Sequence, residues 1–283
     1  MKNKPDNKTK ATSCLDLSTG PIEYPLMRDV VLHIVLQDSN IALRGLVCAL
    51  MGLKEADVSE VILVNPIDYN TQFRETTLDI LVELNNHERL NIELQVERDR
   101  QWVDRSVLYL CRAYNNIKRG EAYQNIRPTT HIGILDFTLF PEEPREFYAK
   151  YLLTNTRTGH VYTTKLALNV LSLKHIDQAT KEDHDNQLVY WARMFKAQTW
   201  EEIKQLVSEC NSLEEVAHTM QTIDADVAKQ TYIRAHEKYL EMLASERYAR
   251  AELEQEIKEK DLRLTDLEQK IRELEQQIAD LIS

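Results

Sequence analysis

The segment LDILVELNNHERLNIELQ, residues 78–95, constrains the fold most strongly because its alternating pattern predicts two strands joined by a short turn. One face of this predicted hairpin is apolar and carries Leu78, Ile80, Val82, Leu84, Leu90, Ile92, Leu94 and Val96. The opposite face carries Asp79, Glu83, Asn91, Glu93 and Gln95. An ordinary solvent-facing strand would carry Thr, Ser and Lys, so the acidic residues on this face need an explanation.

A turn at residues 85–87 would place Asp79 directly opposite Glu93, with Cβ atoms about 5 Å apart. Like charges in such a pair destabilise a sheet, and a shared cation would compensate them. Oxygen ligands favour Mg²⁺ or Mn²⁺ over zinc, and such an ion polarises phosphate and generates hydroxide from bound water. The alternative is that these carboxylates simply face solvent on an exposed sheet.

The other patterns in the first 200 residues alternate between helix and strand. Residues 27–53 predict two helices, with the second capped at Asp38-Ser39-Asn40, and residues 59–66 predict a buried strand that Pro66 ends. Residues 101–120 predict a helix that ends at Gly120, with an apolar side of Val103, Val107, Leu110 and Tyr114. Strands follow at 129–140 and within 146–176, after which the chain becomes helical to its end. This order predicts a mixed sheet with helices on its faces.

The C-terminal segment has a heptad pattern. Its a positions are Leu243, Arg250, Ile257, Leu264, Ile271 and Ile278, and its d positions are Glu246, Leu253, Lys260, Leu267, Leu274 and Leu281. Ile at a with Leu at d favours a parallel two-stranded coiled coil, so the pattern predicts a homodimer through residues 253–281. Across such a dimer Arg263 attracts Glu268 and Lys270 attracts Glu275, whereas Glu256 repels Asp261. Because Arg250 and Lys260 interrupt the apolar positions, a long helix that folds back onto its own domain is the alternative.

The net charge of −11 argues against a nucleic-acid partner, but the charge is unevenly distributed. Residues 201–283 hold 20 acidic and 11 basic residues, whereas residues 1–200 hold 26 and 24. Within residues 89–127, eight basic residues outnumber five acidic ones: Arg89, Arg98, Arg100, Arg105, Arg112, Lys118, Arg119 and Arg127. A local basic surface is therefore compatible with the sequence.

The cysteines and the termini predict a cytoplasmic protein. Cys14, Cys48, Cys111 and Cys210 lie far apart without a C-x-x-C pair, which is typical of a reducing compartment. No apolar run of 18 residues occurs, and no apolar region follows the basic N-terminus, so neither a membrane span nor export is predicted. The first 22 residues are predicted to be a flexible arm.

Five ordered motifs resemble those of the PD-(D/E)XK nuclease family transposases, relatives of the Rpn recombination-promoting nucleases. They are Asp79, NIELQ (91–95), RSVLYL (105–110), GEAY (120–123) and HIGILDFTLFP (131–141). The resemblance covers residues 24–200, and the long charged helical tail is also typical. It implies an α/β fold, with a restriction-endonuclease-like mixed sheet flanked by helices and a C-terminal coiled-coil tail. The implied organisation is an arm (1–22), a nuclease-like domain (23–200), a helical connector (201–240) and a coiled coil (241–283).

The resemblance also implies a set of site residues. Asp79 and Glu93 would bind the metal, and Gln95 stands where the family usually has Lys. Gln can hydrogen-bond to the attacking water or the phosphate but contributes only a dipole. Arg105 and Tyr109 would contact phosphate or support Glu93, with ordinary packing on the helix surface as the alternative. Asp29 would complete the metal shell or serve as an N-terminal helix charge; the histidines, His131 among them, show no ligand spacing.

These residues imply Mg²⁺- or Mn²⁺-dependent hydrolysis of DNA phosphodiester bonds by an endonuclease associated with transposition or recombination in the bacterial cytoplasm. A catalytically weak or inactive DNA-binding or scaffolding module that dimerises through its coiled coil is the alternative. Gln95 and the negative net charge favour the module, whereas Asp79 and Glu93 favour the nuclease.

Overall fold

The computed structural model describes residue 15 and residues 18–67, 80–85 and 87–282. Its strands are β1 (Val61–Leu63), β2 (Ile80–Leu84), β3 (Glu88–Gln95), β4 (Thr129–Leu135), β5 (Tyr148–Leu152) and β6 (Leu166–Ser172). Its α-helices are α1 (Asp29–Asp38), α2 (Asn40–Met51), α3 (Trp102–Tyr114), α4 (Lys181–Asp185), α5 (Leu188–Lys196), α6 (Trp200–Glu209), α7 (Glu214–Ala225) and α8 (Val227–Ile282). The chain divides into two compact units, Met1–Thr231 and Tyr232–Ser283.

The strands form one mixed sheet in the order β1-β2-β3-β4-β6-β5. The central strands β3, β4 and β6 run parallel, and the other pairs are antiparallel. This sheet with helices packed on it confirms the predicted α/β, restriction-endonuclease-like class.

The hairpin has the predicted register. Ile80 pairs with Ile92 and Leu84 pairs with Glu88, so the two strands end on either side of residues 85–87. Asn85 adopts φ 51°, and its Oδ1 accepts hydrogen bonds from Ser59 N at 2.8 Å and Ser59 Oγ at 2.9 Å. Asparagine tolerates this left-handed conformation better than most residues, so local sequence fixes the turn.

The two predicted N-terminal helices, α1 and α2, are confirmed. Ser39 caps α2, because its Oγ accepts a hydrogen bond from Ala42 N at 3.2 Å. Gly52, with φ 66°, ends α2 in the left-handed conformation that a glycine adopts without strain.

Two predicted elements differ from the structure. Helix α3 ends at Tyr114 and not at Gly120, and its buried side is Trp102, Ser106 and Leu110. Val103 and Val107, predicted to lie on the apolar side, are 40% and 50% exposed. Residue spacing is compatible with either the Val103 side or the Trp102 side of α3 facing the sheet. The Trp102 side is buried because the indole packs on the sheet where Gly133 leaves space for it. Strand β1 was predicted to be buried, but it is an edge strand in which only Val61 is buried.

Helix α3 packs across β3, β4 and β6. On this side Trp102, Leu135, Phe137 and Val170 form an apolar cluster. Helix α1 also packs against β3, and Tyr148 on β5 is tied to α2 because its hydroxyl donates to Leu50 O at 2.7 Å. Burial raises the pKa of the Tyr148 phenol, since the charged phenolate would lose its water there.

The predicted arm over residues 1–22 falls mostly outside the described residues. Its last part is held in place, because Pro21 forms a β-bridge with Thr199 and Ile22 N donates to Gln198 O at 2.9 Å. Gly20 N donates to both carboxylate oxygens of Glu201, at 3.0 and 3.2 Å. These hydrogen bonds hold the Glu201 pKa below its usual value. Residues 20–22 are therefore bound to the segment that begins α6.

The second unit consists of α8 from Tyr232 onward. The described part of the predicted heptad contact, from Leu253 to Leu274, has its Leu and Ile residues at a and d between 54% and 60% exposed. Dimerisation through residues 253–281 stays a prediction. Among the described helices none is by itself long and apolar enough to span a membrane; α1 and α2 together pass that test of length and composition, with a bend of 114° between them.

Candidate functional site

Glu93 lies in the C-terminal half of β3 and is only 7% exposed, and Asn91 on the same face is 6% exposed. Helix α3 packs over this face of the sheet and excludes solvent from it. For Glu93, the alternative of a carboxylate that faces solvent on an exposed sheet is therefore wrong. A buried carboxylate requires compensation, because its desolvation is costly unless it is paired and hydrogen-bonded.

Arg105 on α3 supplies that compensation. Its Nη2 donates to Glu93 Oε1 at 2.5 Å and to Gln95 Oε1 at 2.8 Å, and its Nη1 donates to Asp99 Oδ2 at 2.5 Å. Burial by itself lowers the pKa of the Arg105 guanidinium, but the carboxylates of Glu93 and Asp99 outweigh it and raise that pKa above its ordinary value. Arg105 is a permanent cation between two carboxylates and one amide.

His131 on β4 lies against the second oxygen of Glu93. Its side chain is 0% exposed, and its Nε2 is 3.5 Å from Glu93 Oε2. The amide Nδ2 of Asn91 lies 3.0 Å from His131 Nδ1. Because Asn91 Nδ2 can only donate, His131 Nδ1 accepts, and the N–H of the ring is then Nε2, which faces Glu93.

Glu93 therefore has two different oxygens. Oε1 is held by Arg105, whereas Oε2 has no hydrogen-bond partner within normal distance in the described chain. The same holds for His131 Nε2. These two atoms face each other at 3.5 Å, which is longer than a normal hydrogen bond, so Glu93 Oε2 is held less tightly than Oε1.

Aromatic side chains of α3 enclose His131. The ring centroid of Trp102 is 6.1 Å from the imidazole centroid, and that of Tyr109 is 6.5 Å from it in an edge-on arrangement. Gly133, which pairs with Glu93 in the β3–β4 register, lies beneath Trp102. A Cβ at residue 133 would come within 2.2 Å of Trp102 Cζ2, so the absence of a side chain there permits α3 to approach the sheet.

The predicted site residues have different outcomes. Glu93, Gln95 and Arg105 are brought into direct contact, and Tyr109 joins them through His131. Asp79 lies outside the described residues.

Asp29 is the first residue of α1, where the helix macrodipole favours a carboxylate, and its part in a metal shell stays a prediction. Within the described ranges, which leave out Asp79, no three His, Cys, Asp or Glu side chains lie together to hold a metal ion.

Four residues of this site were missed by the sequence reasoning: Asn91 as a histidine partner, His131, Asp99 and Trp102. The contact of His131 with Glu93 arises because β3 and β4 are parallel neighbours that pair Asn91 with His131. The sequence contains one signal for a contact at this face. Gly133 lies two residues after His131, hence on the same face of the strand, and a glycine within a strand often marks the close approach of another segment. Which strand lies beside β3 is not encoded in either strand alone.

The basic residues of the 89–127 region divide into two groups. Arg89 and Arg127 pair with Glu83 at 3.0 and 3.2 Å, and Arg105 belongs to the site. The other five are exposed: Arg98, Arg100, Arg112, Lys118 and Arg119. They follow β3 or lie on and after α3, so exposed positive charge is present in the segments that carry the site.

Comparison with known proteins gives one family. The sequence profile of the PD-(D/E)XK nuclease family transposases matches residues 37–247, which include β3, α3 and β4. No curated protein and no solved structure shows significant similarity to this chain. The profile covers most of the chain, and the buried acidic position on the central parallel strands lies within it. The chain therefore belongs to the PD-(D/E)XK nuclease family transposases.

Proposed function

We propose that this chain is a Mg²⁺- or Mn²⁺-dependent endonuclease that hydrolyses DNA phosphodiester bonds in transposition or recombination. The observation that carries the proposal is Glu93: a buried carboxylate whose Oε1 is held by Arg105 and whose Oε2 has no hydrogen-bond partner at normal distance among the described residues. Arg105 holds one oxygen of Glu93, which leaves the other able to bind a metal ion. The family membership supports a nuclease, and DNA is the substrate that it implies.

The donor chemistry fits a hard divalent cation. Glu93 offers a carboxylate oxygen, and Asp79 precedes Ile80, which pairs with Ile92. A strand extended by one residue in that register would bring Asp79 opposite Glu93, which gives two carboxylate ligands to one ion. A divalent ion held there would polarise a phosphate oxygen and lower the pKa of a bound water.

Around that position the side chains have separate tasks. Arg105 orients Glu93 by holding Oε1. His131 Nε2 lies 3.5 Å from Oε2, and Asn91 orients the imidazole through Nδ1. His131 and Arg105 are thus positioning residues for Glu93.

Gln95 replaces the lysine of related nucleases without removing all positive charge from the site. Arg105 Nη2 lies 2.8 Å from Gln95 Oε1, so a guanidinium stands next to the amide. The amide nitrogen of Gln95 lies 3.2 Å from Glu97 O, within reach of solvent and substrate. We assign to Gln95 the orientation of the attacking water and to Arg105 the positive charge that lysine would supply.

DNA contact would come from the exposed basic residues, because phosphate binding depends on Lys and Arg that are not neutralised by protein carboxylates. Arg98 and Arg100 follow β3 directly and are exposed. The cytoplasmic location stays a proposal that rests on the wide spacing of the four cysteines in the sequence.

Supercoiled plasmid, purified protein and Mg²⁺ or Mn²⁺ provide the test. We expect nicked or linear product only with the metal. Glu93→Gln and Asp79→Asn should each abolish it and weaken Mn²⁺ binding measured by calorimetry. Gln95→Ala should reduce the rate by about 10²-fold, the usual effect of losing one polar catalytic contact. The same rate in the Glu93→Gln protein as in the parent would refute the assignment.

Glu83→Gln is the matched control, since Glu83 is also a hairpin carboxylate paired with arginine but lies near the turn, away from Glu93. It should retain full activity. The second candidate function is a DNA-binding module without cleavage. It is favoured because Gln95 stands where the family usually has lysine. DNA binding that is lost in Arg98→Glu/Arg100→Glu, together with no product in either metal, would establish that candidate instead.

A further inference from the structure

The described part of α8 in the second unit exposes an apolar stripe at heptad spacing. We define the seam as the a and d residues from Leu253 to Leu281. In the described part of the seam the apolar members are Leu253, Ile257, Leu264, Leu267, Ile271 and Leu274, each more than half exposed. A stripe of this regularity at heptad spacing matches another helix of the same period.

We propose that the seam binds a second copy of this chain in a parallel two-stranded coiled coil. The charges beside the seam decide the orientation. All four e positions along it are acidic: Glu254, Asp261, Glu268 and Glu275. In an antiparallel pair the e positions face each other, so acid would face acid in every register. A parallel pair avoids this because its g positions face the e positions of the other chain.

The g positions provide the complementary charge. Arg263 of one chain would face Glu268 of the other, and Lys270 would face Glu275. Neither Arg263 nor Glu268 has an ion-pair partner within the described part of its own chain, and Lys270 pairs only with Asp266 at 2.7 Å on an exposed surface. The sequence therefore leaves these charges available to a partner that carries the same pattern.

The charged residues at a and d positions do not prevent this contact, because Glu246 and Arg250 precede the seam and Lys260 alone lies within it. Lys260 at d donates to Glu256 Oε1 at 2.6 Å, and Arg250 at a donates to Glu254 Oε1 at 3.0 Å. In both cases the charged end turns toward a g or e position of its own helix. Lys260 also neutralises Glu256, whose repulsion of Asp261 was the unfavourable contact in the parallel pair.

The pairing test uses full-length chains and sedimentation equilibrium. The parent should be a dimer, and Arg263→Glu/Lys270→Glu should weaken dimerisation by roughly tenfold or more, because four attractive pairs become repulsive. Mixing the Arg263→Glu/Lys270→Glu variant with a Glu268→Lys/Glu275→Lys variant should restore a dimer, because each g position then again faces an e position of opposite charge. The control Lys258→Glu/Arg272→Glu makes the same charge change at b positions, which face outward, and should dimerise like the parent. A monomeric parent, or equal weakening in the control, overturns the proposal.

The orientation test uses disulfide formation. Leu253→Cys and Leu274→Cys are made separately in full-length chains that carry Cys14→Ser and Cys111→Ser, since Cys111 is exposed. In a parallel pair each residue meets its own copy, so both variants should form covalent dimers under mild oxidation, and the parent without either cysteine should not. An antiparallel pair can bring at most one position against itself. A covalent dimer in only one variant, or in neither, overturns the parallel arrangement.

Discussion

Replacing Arg105 with methionine would leave Glu93 buried without its charged partner, because methionine keeps a long unbranched side chain but donates no hydrogen bond. Glu93 is 8% exposed at its side chain and Arg105 is 26% exposed. Removal of one partner from a buried ion pair costs about 3–5 kcal/mol, and the partial exposure of Arg105 places this case at about 3 kcal/mol. For a unit of this size such a loss lowers the melting temperature by about 6–12 °C.

The assay is thermal or urea unfolding followed by tryptophan fluorescence, since Trp102, Trp191 and Trp200 are all buried in the first unit. Adding Glu93→Gln to Arg105→Met removes the uncompensated charge, so the double variant should lose about 1–2 kcal/mol less than the sum of the single changes. Arg193→Met is the matched control, because its ion pair with Glu209 is 38% and 33% exposed and should contribute at most about 1 kcal/mol. Additive losses within about 0.5 kcal/mol would show that Arg105 and Glu93 are not coupled and refute the reasoning.

Two further predictions follow from the packing and the tail. Gly133→Ala should cost about 1–3 kcal/mol in the same unfolding assay, because the added Cβ would lie 2.2 Å from Trp102 Cζ2, whereas Gly45→Ala, at 3.3 Å from Trp191 Cζ2, should be nearly neutral. A chain that ends at residue 245 keeps the whole first unit, Met1–Thr231, so its fluorescence transition should be unchanged while light scattering gives a monomer. Its DNA affinity should rise at low salt and this gain should shrink as salt is added, because residues 246–283 hold 11 acidic and 7 basic residues.

Local sequence was sufficient for the hairpin and the first two helices. The alternation of residues 78–96, the turn at 85–87 and the cap at Ser39 each depend on neighbours in the chain, and the structure has the pairing of Ile80 with Ile92 and the cap as expected. Local sequence did not predict which side of α3 faces the sheet. Its two apolar stripes have similar spacing, and only the fit of Trp102 over Gly133, residues from different elements, selects one of them.

For the candidate site, the sequence by itself determined which residues alternate onto one face: Asn91, Glu93 and Gln95 on β3, because side chains on a strand repeat every two residues. The tertiary structure decided that this face is buried and that Glu93 meets Arg105 and His131. Burial depends on α3 crossing the sheet, and the histidine depends on β4 lying parallel beside β3. Neither the covering helix nor the neighbouring strand is specified by the local periodicity of β3, because both result from long-range packing of the whole first unit.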